Sequence, residues 1–100
     1  MDKKEAIEKV KEYSKLLNLY FQYKNIYLFG SYVSGNYHKD SDIDVAIVVS
    51  KLEDDFFSVN PLLWKLRRQI DDRIEPILID EEHDDANFLS EIRNNGIEIA

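Results

Sequence analysis

The sequence contains no cysteine among its 100 residues. It therefore has no disulfide framework and no thiolate to act as a nucleophile or metal ligand. The first residues, 1–5, also lack the apolar core of a secretory signal peptide. Together these absences favour a protein of a reducing compartment, and we expect it to be cytoplasmic.

Long apolar runs and excess basic charge are absent as well. Runs such as residues 45–49 are far too short to cross a bilayer, which predicts a soluble protein without a membrane partner. Lys and Arg number 13 against 20 Asp and Glu, so the net charge is −7. Because this average surface repels polyanions, we do not expect long nucleic acid as a partner, whereas a basic protein surface would suit it.

What the sequence does contain predicts one folded domain over residues 1–100 with a single core, since 44% of the residues are hydrophobic. A helix is expected over residues 2 to about 23, where apolar residues recur at intervals of three and four. Asn60 and Pro61 predict the start of a second helix that continues to about Arg73. A last helix is predicted over Ala86–Asn95, ended by Gly96.

Strands are predicted between these helices. Residues Asp42–Val49 are apolar on both faces beyond Asp44, which is typical of a central strand covered on both sides. The others are expected at Ile26–Phe29, at Glu75–Asp80 and, as a short edge strand, at Ile97–Ile99. This order of elements predicts an α+β (α/β) fold, with a small mixed sheet flanked by helices.

Two polar signals stand beside the first two strands. Gly30 and Ser31 follow the first strand, where a glycine allows close backbone approach and the N–H groups of a following helical turn attract an anion. Asp42 and Asp44 open the second strand, and such carboxylates are costly there unless a cation meets them. Each signal alone is common; together they predict a site for phosphate and a divalent metal.

For the two signals to meet, the first and second strands must run antiparallel. A helical crossover then makes the third strand parallel to the second, which brings Glu75 to the same edge. Glu75 is thus predicted as a third acid, with Asp71, Asp72 and Asp80 as the neighbouring alternatives.

The chemistry expected of this group is metal-dependent transfer from a nucleoside triphosphate. Mg²⁺ prefers carboxylate, phosphate and water oxygens, and two ions at Asp42 and Asp44 would hold the triphosphate and activate an acceptor hydroxyl. Gly30 and Ser31 would bind the phosphates. Glu75 would be a metal ligand or a general base, and these alternatives stay open. The reaction would be in-line attack on the α-phosphorus, with pyrophosphate leaving.

Gly30-Ser31, ten intervening residues and Asp42-x-Asp44 resemble the signature of the DNA polymerase β-like nucleotidyltransferase superfamily. The small size resembles its minimal nucleotidyltransferase branch, and the order of helices and strands agrees over nearly the whole chain. Two positions depart from the usual pattern: Ser34 stands where many relatives have Arg, and Glu75 where many have Asp. Lys39 or His38 is a candidate substitute for the missing phosphate-facing cation.

The resemblance implies an antitoxin that transfers AMP from ATP to a tyrosine of a helical HEPN toxin. The absence of an acceptor-binding domain and the acidic surface also favour a protein acceptor. The alternatives are an antitoxin that masks its partner without chemistry, and a transferase of the aminoglycoside-modifying kind. Template-dependent polymerisation is the least favoured, since no basic track for nucleic acid is visible.

Other features are interpreted as structural. His38 and His83 are expected to be loop histidines, the pair Arg67-Arg68 a solvated helix face, and residues 81–85 a solvated loop with a helix cap at Asp84 or Asp85. Leu16, Leu19 and Tyr20 widen the apolar face of the first helix, which is consistent with deep burial or with a partner surface. Phe56, Phe57 and Trp64 either complete the core or stay partly exposed. Apolar residues of the first helix and around Phe56 and Phe57 also permit a homo-oligomer.

Overall fold

Four strands form one sheet in the computed structural model, which describes residues 1–50, 56–84 and 87–100. The helices are α1 (Lys3–Leu17), α2 (Ser31–Ser34), α3 (Phe56–Leu66) and α4 (Phe88–Asn95). The strands are β1 (Asn25–Phe29), β2 (Ile43–Val49), β3 (Ile74–Asp80) and β4 (Ile97–Glu98). Short 3₁₀ turns cover Arg67–Gln69 and Glu81–His83.

The strand order in the sheet is β3-β2-β1-β4. β1 pairs antiparallel with β2 and with β4, whereas β2 and β3 pair in parallel. The topology predicted from the need to bring the two polar signals together is therefore confirmed, as is the short edge strand at the carboxyl end. The α+β fold with a small mixed sheet flanked by helices is confirmed as well.

The central strand β2 separates two apolar clusters. Ile43, Val45 and Ile47 are fully buried on the face covered by α1 and α3. Ala46 and Val48 are buried on the other face, against Leu89 and Ile92 of α4 and neighbouring strand residues. Because successive side chains alternate between the faces, the apolar run gives both clusters, and Asp44 belongs to the α4 side.

The first helix is shorter than its periodicity predicts. Four apolar residues at the predicted intervals of three and four are fully buried: Ala6, Val10, Tyr13 and Leu17. The helix α1 nevertheless ends at Leu17 and not near residue 23. The chain turns at residues 18–20, and Tyr23 returns to donate a hydrogen bond from its hydroxyl to the Ser14 carbonyl at 3.2 Å. Leu19 and Tyr20 are consequently exposed, at 80% and 54%, and belong to no buried face.

The second long helix begins before the predicted start. α3 runs from Phe56 with Pro61 inside it, so Asn60 and Pro61 do not open the helix. Burial of Leu63 and Leu66 favours the continuous helix, although Pro61 donates no backbone hydrogen bond. The predicted end at Arg73 is also wrong. The α-helix stops at Leu66, and the Arg67 guanidinium bonds instead to backbone carbonyls of the following segment.

Strand β3 is an outer strand of the sheet. The N–H of Ile43 donates to the Arg73 carbonyl at 2.8 Å, and pairing continues with Asp44 opposite Glu75 and Val45 opposite Pro76. Backbone groups alternate in direction along a strand. The backbone N–H and C=O groups of Arg73 and Glu75 therefore point to β2, whereas the backbone carbonyl of Pro76 points to the open side of the sheet.

Charged residues connect the end of β3 to the rest of the fold. Glu81 forms ion pairs with Lys24 at 2.8 Å and with Arg93 at 3.1 Å, so the predicted solvated loop is in part a network of ion pairs. The Asp84 carboxylate accepts hydrogen bonds from the N–H groups of Phe88 and Leu89, which confirms one of the two predicted helix caps. α4 itself begins at Phe88 rather than Ala86, which lies outside the described residues together with Asp85.

The acidic residues Glu53, Asp54 and Asp55, between the predicted second strand and second helix, lie outside the described residues. The packing expected of the Phe56 and Phe57 side chains also lies outside the described part. Trp64, whose burial was left open, is 38% exposed and has the Arg67 guanidinium over its ring. Among the described residues, no helix is long and apolar enough to cross a membrane.

Candidate active site

The turn between β1 and α2 depends on Gly30. Its φ of 78° lies in the region that favours glycine, and its carbonyl accepts from the N–H groups of Val33 and Ser34. α2 begins at Ser31 and ends at Gly35, which has a φ of 90°. The first N–H groups of such a helical turn have no carbonyl of their own to bond to, so they are available to an anion.

Asp44 is packed directly against this turn. In the pairing of β1 with β2 it lies opposite Phe29, and Phe29 is the residue that precedes Gly30. A Cβ atom added to Gly30 would lie 2.1 Å from Oδ2 of Asp44, far inside van der Waals contact. Two features thus require glycine at position 30: its positive φ, and the Asp44 carboxylate, which leaves no room for a Cβ atom.

The third predicted acid lies next to Asp44 on the other neighbouring strand. Glu75 is directly opposite Asp44 in the parallel register of β2 and β3, and residues in register project from the same face. Asp42 immediately precedes β2 and is exposed, like Glu75. The fold therefore brings Gly30, Ser31, Asp42, Asp44 and Glu75 to one edge of the sheet.

The electrostatics of this edge are dominated by negative charge. The pKa of Asp44 is raised from 3.8 to about 6, first by burial of the carboxyl and then by the nearby negative charges of Glu75 and Asp42. Within the part of the chain that the structure describes, no basic side chain is among the causes of this shift. A cation or a proton at this edge would relieve the repulsion.

The donor set suits a hard divalent cation, because Mg²⁺ prefers carboxylate oxygens. Within the described parts of the chain, however, no three carboxylate or imidazole groups are arranged to hold one metal ion by themselves. An ion at this edge would take its remaining ligands from phosphate oxygens and water, as Mg²⁺ commonly does.

The segment that leads into Asp42 is held by residues not predicted to act together. Ser41 is buried, and its hydroxyl accepts a hydrogen bond from the His38 N–H at 2.9 Å. Arg73 donates to the Lys39 carbonyl at 3.0 Å and is paired with Asp71 at 2.7 Å. This arrangement fastens the loop to the start of β3. The sequence predicts Arg73 only as the approximate end of the second helix, and the spacing of Asp71 and Arg73 is the one local sign of the pair.

Some candidates are not shown to join the site. The side chains of His38 and Lys39, proposed substitutes for a phosphate-facing Arg, are exposed, and their described contacts use backbone atoms. Asp71 is engaged with Arg73, which holds the pKa of its carboxyl below the usual range. Asp80 lies at the far end of β3 and contacts His83 at 3.0 Å. Of the alternatives to Glu75, these two are therefore structural.

The mixed sheet places Asp44 against the Gly-Ser turn and in register with Glu75, which is the arrangement expected of a nucleotidyltransferase. A sequence model of the family described as "Polymerase beta, Nucleotidyltransferase" matches residues 8–100, and the chain belongs to this family. It is accordingly an enzyme of nucleotidyl transfer.

Relatives support the same assignment. The chain is 29% identical over 99 residues to "Putative protein adenylyltransferase MJ0141" of Methanocaldococcus jannaschii, covering 95% of this chain and 99% of that protein. A solved nucleotidyltransferase structure from Sulfolobus solfataricus has a TM-score of 0.70 at 20% identity, over 96% of this chain and 80% of the other, and shows the fold.

A structure described as a toxin–antitoxin with AMP-PNP has a TM-score of 0.66 at 26% identity, over 92% of this chain and 72% of that one.

Proposed function

We propose that this protein transfers AMP from ATP to a hydroxyl group of a partner protein, and that the acceptor is a tyrosine of a HEPN-type toxin. The observation that carries the proposal is the Asp44 carboxylate seated against Gly30 and in register with Glu75. Two similarities support the acceptor class: one relative is named a protein adenylyltransferase, and one structural neighbour is a toxin–antitoxin complex with an ATP analogue.

In this mechanism the Gly30-Ser31 turn binds the β- and γ-phosphates through backbone N–H groups and the Ser31 hydroxyl. Asp42 and Asp44 would hold Mg²⁺, which would neutralise phosphate charge and stabilise the leaving group. Such binding also explains why three carboxylates are gathered without a basic partner in the arrangement that raises the pKa of Asp44.

The acceptor side belongs to Glu75, which is exposed at the same edge. Glu75 takes the proton of the acceptor hydroxyl as its oxygen attacks the α-phosphorus. The bond between the α-phosphorus and the bridging oxygen breaks, and pyrophosphate leaves with the electron pair. The product is a phosphodiester that joins AMP to the partner.

The test is transfer of AMP to the partner. The protein is incubated with a co-purified partner, Mg²⁺ and ATP labelled at the α-phosphate. Incorporation of the label into the partner and the partner's intact mass are then measured. We expect the added mass of AMP on the partner, absent with Asp44→Asn. A partner that binds but never gains AMP would contradict the proposal.

Masking of a partner without chemistry is the second candidate, favoured by the exposed Leu19 and Tyr20 as a contact surface. The double variant Asp42→Asn with Asp44→Asn separates the two functions. If it neutralises the partner as well as the wild type does, binding alone suffices; if neutralisation is lost while binding persists, transfer is the function.

A further inference from the structure

A pocket of about 510 Å³ opens beside the Gly-Ser turn, between the carboxyl end of β1 and α4. Gly30 belongs both to this pocket and to the contact with Asp44, so the pocket adjoins the acidic edge. Its volume lies in the range of small-molecule sites. None of the residues assigned to the phosphates or to catalysis, other than Gly30, lines it.

The apolar part of this pocket is aromatic. Phe29 and Phe88 line it, with their ring centroids 5.8 Å apart and the planes nearly perpendicular at 86°. Both rings are partly exposed, so they offer surface to a ligand. Planar bases pack well on aromatic side chains, and such contacts tolerate any base.

The polar part of the pocket comes from one side of α4. Glu91 and Asn95, one helical turn apart, line it and are exposed, and Ser34 lies on the α2 side. Among the described residues that line it there is no Lys or Arg, and Glu91 supplies a negative charge. A phosphate would be repelled here, so the ligand portion that fits is uncharged and rich in hydrogen-bond donors.

We propose that this pocket binds the nucleoside part of the donor nucleotide, with Asn95 selecting adenine and Glu91 accepting hydrogen bonds from the ribose hydroxyls. An Asn amide donates and accepts side by side, which matches the amino group and adjacent ring nitrogen of adenine. Glu91 has only acceptors, which match the ribose hydroxyls. The inference rests on the proposed function, because it places the nucleoside beside the triphosphate site of that reaction.

The test measures binding of ATP, GTP and inorganic triphosphate, each with Mg²⁺, by calorimetry. In Asn95→Asp the new carboxylate loses the donor that adenine needs and matches the two N–H groups of guanine. We expect the preference for ATP over GTP to fall by about tenfold or more, with triphosphate binding unchanged. The matched control is Asn94→Asp, which adds the same charge on a residue that lines a different pocket.

Glu91→Gln is the second variant. It is expected to weaken ATP severalfold relative to wild type, and to leave the 2′,3′-dideoxy analogue unaffected, because that analogue has no hydroxyls to donate. Circular dichroism melting checks that each variant is folded. Glu91 and Asn95 are exposed, so neither change opens the core.

The outcomes separate this inference from the proposed function. An ATP-to-GTP ratio that is the same in wild type, Asn95→Asp and Asn94→Asp overturns the pocket assignment. Continued transfer of AMP to the partner in those same proteins leaves the proposed function standing. A wild type that binds triphosphate no less tightly than ATP also overturns the pocket, and one that binds no nucleotide overturns both.

Discussion

Two groups of acidic residues stand at opposite ends of the strands, and their surroundings differ. At the end of β3, Glu81 contacts Lys24 and Arg93, and the hydrogen bonds from these two side chains hold the pKa of its carboxyl below the usual range. At the start of β2, the pKa of Asp44 rises to about 6 because its carboxyl is partly buried and because two further carboxylates, Glu75 and Asp42, lie nearby.

The difference distinguishes a structural carboxylate, Glu81, from a candidate functional one, Asp44. The carboxylate of Glu81 is balanced within the chain, so it needs no ligand to be stable. Among the described residues, no basic side chain lowers the pKa of Asp44. The fold therefore holds a destabilised carboxylate next to Gly30 of the Gly-Ser turn. Perturbed carboxylates of this kind cluster at functional sites.

The largest effect that tests this comparison is on activity. We expect Asp44→Asn to lower AMP transfer by on the order of 10³-fold or more, as removal of a central catalytic group commonly does. Glu81→Gln, the matched change at the other acidic group, is expected to leave the rate within a few-fold. Initial rates with labelled ATP measure both, and equal losses in the two variants would contradict the distinction.

The next effect comes from the glycine beside Asp44. Gly30→Ala forces a Cβ to 2.1 Å from Oδ2 of Asp44 and also strains a φ of 78°. We expect loss of most activity and a decrease of about 2 kcal/mol in the free energy of unfolding. Gly35→Ala is the control, because its φ of 90° is equally unfavourable while nothing lies within 4 Å of the added atom. If both variants lose equal activity, the contact with Asp44 is not the cause.

A smaller effect of opposite sign is expected on stability. Asp44→Asn removes a charge that is disfavoured in the metal-free protein, so it should raise the free energy of unfolding at pH 7 by on the order of 1 kcal/mol, after solvent screening. Thermal unfolding in chelator measures this. An unchanged or lower melting temperature would show that Asp44 is not under electrostatic strain.

The pH dependence follows from the same shift. The folded-state pKa of Asp44, about 6, lies above the ordinary value of 3.8 for this side chain. Its protonation therefore stabilises the fold fully below 3.8, and this contribution is lost as the pH rises through about 6. The stability gap between Asp44→Asn and metal-free wild type should widen from pH 4 to pH 7, and a constant gap would refute the assignment.

The smallest effect concerns the balanced group. Glu81→Gln removes the partner of Lys24 and Arg93, and we expect a slight decrease in melting temperature that shrinks further in high salt. Denaturant titrations at low and high ionic strength measure it. A salt-independent loss would mean that Glu81 acts by packing and not by charge.

Much of this site could be predicted from the sequence, because alternation and spacing are local. The apolar run after Asp44 predicts a central strand, and the requirement that Gly30 meet Asp44 predicts its antiparallel neighbour. Burial and strand pairing confirm both. Glu75 reaches the same edge because a helical crossover makes β3 parallel to β2.

The helix boundaries and the ion pairs of Glu81 could not be predicted, because they depend on contacts between residues distant in the sequence. Apolar residues continue past Leu17 at helical spacing, and only the return of Tyr23 to Ser14 shows that the helix has ended. Pro61 indicates a helix start by local preference, but burial of Leu63 and Leu66 decides otherwise. The partners of Glu81 lie 57 and 12 residues away, so no pattern within the loop could distinguish its charge from that of Asp44.

Pro76 has a consequence for how this sheet meets other chains. It lies on the open side of the outer strand, where it offers no N–H, and the nearby Ile74 carbonyl is occupied by the Arg67 guanidinium at 3.1 Å. The row of backbone groups that an added strand would need is therefore interrupted beside Glu75. Sheet-to-sheet aggregation is disfavoured at this edge, and under the proposed mechanism an acceptor would reach Glu75 with a projecting side chain rather than by strand addition.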